Sequence, residues 1–319
     1  MQCGQGGRPR ISSLHYLGAL VLTAFCLEVV TGTLLMVYYR PAAGAAYYST
    51  GIIMDEVRFG WLVRSLHQRG ADLLVLLLLL FMARVYFARA YQRPRHLNWA
   101  SGVVLLVLVL ALGFTGTLLP WDQYAYWYTE SARQTVAGIP VLEQRLLGLF
   151  WGGWDLGEEV LLRFYAFHVG VLPWLAATCL GVHFLLVWRV RSAQPAAASA
   201  ALWSPDFLLS LLIAALLLGG LLVSAAVCLP ASLAVQADPL SGLPHVQPPW
   251  YLLAVRGLLQ RLPGWLAALS TLAFFSLLLL LPVLDRATAL PVWKRVLHGA
   301  AGLAVISLWV FLSLVAYLR

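Results

Sequence analysis

The sequence predicts an all-α integral membrane protein with seven transmembrane helices, a four-helix bundle followed by a three-helix block. Three observations predict it. The 319 residues are 61% hydrophobic and 11% charged, with a mean hydropathy of +0.83, well outside the composition of soluble domains. Apolar runs of about 20 residues, enough to cross ~30 Å of hydrocarbon, recur along the whole chain. The basic residues gather in alternate connections between these runs, as the positive-inside rule requires.

The runs are justified in order. The first covers 14–39 and follows MQCGQGGRPRISS, which lacks the apolar core of a signal peptide, so the span is expected to stay in the chain. The second, 67–88, lies within RSLHQRGADLLVLLLLLFMARVYF. The third covers 100–119, and the fourth, 165–189, reads FYAFHVGVLPWLAATCLGVHFLLVW. A small-residue linker at 192–205, SAQPAAASAALWSP, then separates an N-terminal unit (1–191) from a C-terminal one (206–319). The latter carries runs at 206–229, 265–284 and 296–318. Two connections are long, 120–164 and 230–264, and long loops usually carry function or cap a site.

A formal net charge of +8 suggests nucleic acid only until its placement is read. Arg8 and Arg10 precede run one, Arg84, Arg89, Arg93 and Arg95 follow run two, and Arg189 and Arg191 follow run four. Arg286, Lys294 and Arg295 lie between runs six and seven. The opposite connections hold Asp55, Glu56, Asp122, Glu130, Glu143, Asp155, Glu158, Glu159 and Asp238. This places the N-terminus in the cytoplasm and the C-terminus outside, with a bacterial inner membrane as the expected location. The positive charge is a topology signal toward membrane lipid, and no nucleic-acid partner is expected. Cys3, Cys26, Cys179 and Cys228 form no CxxC or CxxCH pattern, so neither a zinc site nor a standard c-type haem attachment is expected.

Run four carries His168 and His183, fifteen residues apart, and run two carries His67 at its start. At 1.5 Å per residue such a spacing is ~22 Å and close to four turns, which puts both histidines near one face. In a bundle they address two stacked sites, and imidazole is the usual axial ligand of a low-spin b haem. A lone membrane histidine equally serves as a bond to a neighbouring helix. Gly18 and Gly32 in run one, and Gly102 and Gly116 in run three, repeat a fourteen-residue spacing. Glycine leaves room for a flat macrocycle, or for a bare helix contact. The place on run two fourteen residues past His67 is Phe81.

The motifs TGTLLMVYYRP, DEVRFGWLVRSLH, GFTGTLLPWDQYAYW, RFYAFHVGVLPWL and ADPLSGLPHVQPPWYLL fall in the order of a known family. The chain resembles cytochrome b of the respiratory and photosynthetic cytochrome bc-type complexes, in the plastid-type branch with a fused C-terminal half. The resemblance implies that the first four runs are a haem-binding bundle. It makes His67 and His168 the axial pair of the haem nearer the outward face, with Gly32 and Gly116 giving clearance and Arg64 near a propionate. It assigns His183 to a haem nearer the inward face, beside Gly18, Gly102 and Arg84. Phe81 stands where that haem's other ligand belongs. Three expectations follow: an absent second haem, which is preferred, a five-coordinate one on His183, or a substitute ligand among His15, His96 and His298.

The resemblance also places quinol oxidation between PWDQ (Pro120 to Gln123) and PPWY (Pro248 to Tyr251). The family usually reads Pro-Glu-Trp-Tyr, with the glutamate as proton acceptor. Pro249 has no titratable group, and general-base work requires one within hydrogen-bond reach; Asp122, Tyr251 and His245 are the substitutes considered. Tyr16 stands where the plastid-type branch attaches an extra haem through cysteine, so that haem is not expected. The expected function is a subunit that passes electrons between membrane quinone and a partner redox subunit through one bis-His b haem. Its expected partners are an iron–sulfur (Rieske-like) or cytochrome c subunit and a second copy of itself. The alternatives are a full Q-cycle subunit with two haems and a structural docking subunit.

Overall fold

Long runs of leucine, valine and alanine place few side chains that compete with the backbone, so every N–H and C=O is satisfied inside a helix, as a bilayer demands. The computed structural model describes residues 13–139, 143–153, 156–192, 205–242, 246–286 and 291–318. Its elements are α1 (Ser13–Met36), α2 (Ala46–Asp55), α3 (Gly60–Phe87), α4 (His96–Thr117), α5 (Gln123–Ala137) and α6 (Glu143–Leu146). They continue with α7 (Glu158–Tyr165), α8 (Leu172–Ser192), α9 (Pro205–Cys228), α10 (Leu253–Leu259), α11 (Gly264–Leu284) and α12 (Val292–Tyr317). Seven helical segments are long and apolar enough to cross a membrane, and the protein is an integral, multi-pass membrane protein.

Two boundaries differ most from the sequence reading. Span two begins at Gly60 rather than 67, and span four runs from Glu158 to Val190 rather than from 165. In both cases the polar residues at the outward end continue the helix, which a hydropathy window cuts off. Span four is also irregular. Between α7 and α8 lies a π-helical stretch, Ala166–Val171, that contains His168. Pro173 has no N–H to donate to the carbonyl of Val169 and its ring would crowd that carbonyl. A widened turn just before it relieves the crowding.

The π stretch explains the fifteen-residue histidine spacing. At ~100° per residue, fourteen residues return a side chain to within about 40° of its starting direction, and fifteen overshoot to about 60° on the other side. A π turn takes up one extra residue, so His168 and His183 regain the register of the fourteen-residue glycine pairs.

α1 packs on α3, and α4 packs on α8. Their shared core includes Val21, Phe25, Leu78, Leu105, Val109 and Leu180. The later helices close on this bundle, with α9 against α3 and α1, α11 against α4, and α12 against α3 and α10. The outer faces stay apolar: Leu216, Leu217 and Leu221 of α9 are 66%, 69% and 62% exposed. That pattern fits hydrocarbon as the solvent.

An ion pair ties the end of α3 to the end of α11. Arg89 donates to Asp285 Oδ1 at 2.6 Å and Oδ2 at 2.8 Å, and Tyr91 donates to Oδ2 as well. Partial burial by itself would push the Asp285 carboxyl up, but the bonds from Arg89 and Tyr91 and the Arg89 charge outweigh it and hold the carboxyl below its usual range. The pair's stabilisation is therefore complete above the unfolded carboxyl value of ~3.9 and is lost as pH falls through the lower folded value. Asp285→Asn is expected to cost about 1 kcal/mol or less at pH 7. The difference from wild type should shrink in unfolding measurements at pH 3.

Candidate functional site

The end of the bundle opposite the N-terminus, outward on the charge reading, brings together residues far apart in the chain. His67 on α3 and His168 in the π stretch face each other with ring centroids 6.1 Å apart and planes at 86°. An imidazole nitrogen binds a transition metal at about 2.0–2.1 Å, so two axial rings on one iron place their centroids roughly 6 Å apart. In both rings Nδ1 is engaged elsewhere. His67 Nδ1 lies 3.0 Å from Thr31 Oγ1 and 3.1 Å from Glu28 Oε2. His168 Nδ1 lies 3.1 Å from the Leu112 carbonyl and 3.3 Å from Thr115 Oγ1. A ring that donates its Nδ1 proton keeps a lone pair on Nε2 for iron.

Gly32 and Gly116 serve these rings directly. A Cβ on Gly32 would lie 3.0 Å from His67 Cε1, and one on Gly116 would lie 2.7 Å from His168 Cε1. The glycine notches therefore admit the imidazoles themselves, where the sequence suggested clearance for the macrocycle. Among the described residues no group of three or more His, Cys, Asp or Glu could hold a bare metal ion. Two facing imidazoles with occupied Nδ1 atoms fit the axial positions of a b haem.

Arg64, one turn before His67, is committed to protein oxygens and sulfur. It donates to the Ser232 carbonyl at 3.0 Å, to the Ala231 carbonyl at 3.4 Å and to Met54 Sδ at 2.9 Å.

The inward site repeats the geometry without the chemistry. The Phe81 and His183 rings are also 6.1 Å apart, at 70°, and His183 Nδ1 lies 2.8 Å from Ser101 Oγ. Phenylalanine has no lone pair for iron, so the residues present do not fit a bis-His haem here. Gly18 faces Phe81 at 3.6 Å from the place of its Cβ, while the Gly102 notch is filled by Met82, with Sδ 2.9 Å from that Cβ place. Arg84 is exposed on α3. Of the substitute ligands considered, His298 stacks on Tyr86 at 4.3 Å and its Nε2 lies 3.3 Å from the Tyr86 carbonyl. His96 begins α4 with Nδ1 buried and without a hydrogen-bond partner among the described residues, and the side chain of His15 lies outside the description.

The two long outward connections are knitted together at PWDQ. Asp122 caps α5, accepting from the Ala125 N–H at 2.8 Å and, through its other oxygen, from the Ala234 N–H at 3.0 Å. Gln123 bonds the Asp238 carbonyl at 3.1 Å and accepts from the Asp238 N–H at 2.5 Å. Trp121, just before them, adopts φ 51°, a left-handed backbone that a bulky residue holds only when its surroundings impose it. Both oxygens of Asp122 are thus committed to backbone N–H groups, which is a structural use of the carboxylate.

PPWY is held near by. Tyr124 donates to the Gln247 carbonyl, and the Tyr251 hydroxyl fills the notch over Gly113. Burial first, and then the Asp72 carboxyl, raise the Tyr251 phenol above its ordinary value. Burial likewise pushes Tyr124 up to about 12. Both phenols are therefore protonated at neutral pH and can donate but not accept a proton there. His245, the other candidate, lies outside the described residues.

Sequence reasoning passed over Glu28 and Asp72. Asp72 on α3 accepts from Trp250 Nε1 of PPWY at 3.1 Å and pairs with Arg69 at 3.4 Å. Glu28 on α1 meets His67. The signal was present, since both are acids inside apolar spans, and an ionisable residue there is a functional candidate by default.

Seven membrane-spanning helices with a half-buried imidazole pair between the second and fourth spans define the class of membrane-embedded b-type cytochromes. The chain belongs to the cytochrome b/b6 family. Residues 5–191 match the family model described as Cytochrome b/b6/petB, and residues 236–318 match Cytochrome b(C-terminal)/b6/petD. Cytochrome b6 of Synechococcus elongatus is 40% identical over 187 residues, covering 59% of this chain and 87% of that protein. Cytochrome b6 of Prochlorococcus marinus is also 40% identical over 187 residues, covering 59% and 86%. A solved structure titled Hyperthermophilic respiratory Complex III superposes with a TM-score of 0.71 at 22% identity, over 98% of this chain and 93% of the other. That likeness shows the fold.

Proposed function

We propose that this protein is the electron-transferring cytochrome b subunit of a quinol-oxidising membrane complex, with one bis-His b haem and a degenerate second site. The observation that supports it most is the pairing of unequal sites on one geometry. His67 and His168 stand 6.1 Å apart with Nε2 available on both, whereas Phe81 takes the same place opposite His183. A six-coordinate b haem supplies one-electron transfer with no open coordination position. The protein's own part is to hold both rings by their Nδ1 atoms, exclude water with apolar helices, and seat quinone between the outward loops.

The proton step departs from the family pattern. Pro249 offers no acceptor, Asp122 is committed to backbone, and the nearby phenols are donors. Asp72, bonded to Trp250, is the carboxyl joined to the PPWY segment and takes the role that Pro249 cannot. A single haem held by His67 and His168 would supply one-electron transfer without splitting electrons across the membrane, toward a partner subunit on the outward face, a Rieske-like iron–sulfur protein or a cytochrome c. The N-terminus faces the cytoplasm, and the working unit is a homodimer within a larger complex.

Pyridine haemochrome quantitation with a redox titration on the purified chain tests this reading. One b haem per chain with a single titration wave is expected. Two haems with separate potentials would establish the full Q-cycle arrangement instead, and a haem-free chain would point to a docking subunit.

A further inference from the structure

Glu28 sits on the inner side of α1 with a side chain 13% exposed, facing α3. One carboxyl oxygen, Oε2, lies 3.1 Å from His67 Nδ1. The other, Oε1, is buried without a hydrogen-bond partner among the described residues. It lies over Gly70, where any Cβ would collide with it, so α3 is notched to receive this carboxyl one turn beyond His67. Burying a carboxyl between apolar helices is costly unless it meets a partner. The partner α3 provides is the imidazole of His67.

Thr31 shares the same nitrogen, but its hydroxyl proton is already directed to the Leu27 carbonyl at 2.7 Å. Its oxygen therefore faces His67 as an acceptor, at 3.0 Å. With Glu28 ionised, both groups accept at Nδ1, which places the proton on Nδ1 and the lone pair on Nε2. His168 is held differently, by a backbone carbonyl and a threonine hydroxyl. The two rings of one pair thus have unequal acceptors, and the carboxyl is on the α3 side.

We infer that Glu28 is a positioning residue for the haem ligand His67: its carboxyl accepts the Nδ1 proton, strengthens the ring's donation to iron, and lowers the potential of the haem. The inference rests on the reading of His67 and His168 as an axial pair. A carboxylate behind a metal-bound histidine raises the basicity of the ligand, and such outer partners typically change metal affinity 10–100-fold. Stronger donation favours the ferric state.

The test compares the full-length wild-type chain with Glu28→Gln and Thr31→Val, by haem quantitation, redox titration and low-temperature EPR of the ferric haem. Glu28→Gln keeps the shape of the side chain and an acceptor oxygen but removes the carboxyl. It should retain haem, shift the potential upward and move the EPR g-values. A tenfold rise in the reduced-to-oxidised ratio at fixed poise, ~59 mV for a one-electron couple, is the expected scale. Thr31→Val leaves Glu28 as the acceptor, and its potential should stay at or below wild type.

An unchanged potential and spectrum in Glu28→Gln would overturn the inference, as would a rise in Thr31→Val equal to that in Glu28→Gln. If Glu28→Gln does not assemble, a potential in Thr31→Val well above wild type overturns it alone. Failure of the underlying reading looks different: His67→Ala would then bind haem with the wild-type spectrum, or wild type would bind none.

Discussion

On the single-haem reading, Phe81→His is expected to raise the haem content from one to two per chain. Nothing else in the inward site needs to be invented. The ring that histidine would replace already stands 6.1 Å from His183, the separation found between His67 and His168. His183 is oriented through Nδ1 by Ser101 at 2.8 Å, as a ligand bound through Nε2 requires. Gly18 lies beside position 81 as Gly32 lies beside His67. The obstacle is Met82, whose thioether fills the Gly102 notch, but methionine is unbranched and repacks readily. A second wave in the redox titration and a doubled pyridine haemochrome yield would confirm the gain. A yield that stays at one haem would show that the inward slot has closed and that His183 is a packing residue.

Removing a ligand of the outward pair should have the opposite effect, and a complete one. Under the proposed reading, His168→Ala removes one of the two imidazoles that would hold the haem, so the purified chain is expected to lose its b haem absorbance. His183→Ala is the matched control. It removes an imidazole of the same size from the same transmembrane span, and under the single-haem reading it leaves haem content and potential unchanged. Loss of haem in both variants would sink the assignment of the inward site as degenerate. Retention in both would remove His168 as a ligand.

Much of this was legible in the chain. Seven apolar runs and an alternating Arg/Lys bias announce a multi-pass helical protein, because hydrocarbon leaves the backbone few other ways to satisfy itself. The fourteen-residue glycine pairs, His67, His168 and the odd Phe81 were visible as spacing, since helical register is a one-dimensional property. Less was visible where several segments share one place. Asp122 was one of three substitutes considered for the proton acceptor, and its bonds, which cap α5 and tie down Ala234 more than a hundred residues away, could not be read from its place in the chain.

Glu28 and Asp72 went unread for a related reason. In hydropathy terms each is a single polar residue diluted by about twenty apolar ones, and only the partner across the helix interface gives it meaning. His67 supplies that meaning for Glu28, and Trp250 for Asp72.

The sequence by itself determined the membrane spans and the register of the histidines and glycines, because composition and periodicity along one helix carry those properties, while its motifs supplied the family resemblance and with it the expected pairing of His67 with His168. Only the tertiary structure decided that a π turn before Pro173 brings His168 and His183 into register. It also decided that Gly32 and Gly116 admit the imidazoles, and that a buried carboxyl on α1 stands behind one of them. Each of these depends on the distance between atoms on different helices, which packing sets and no stretch of a single helix contains.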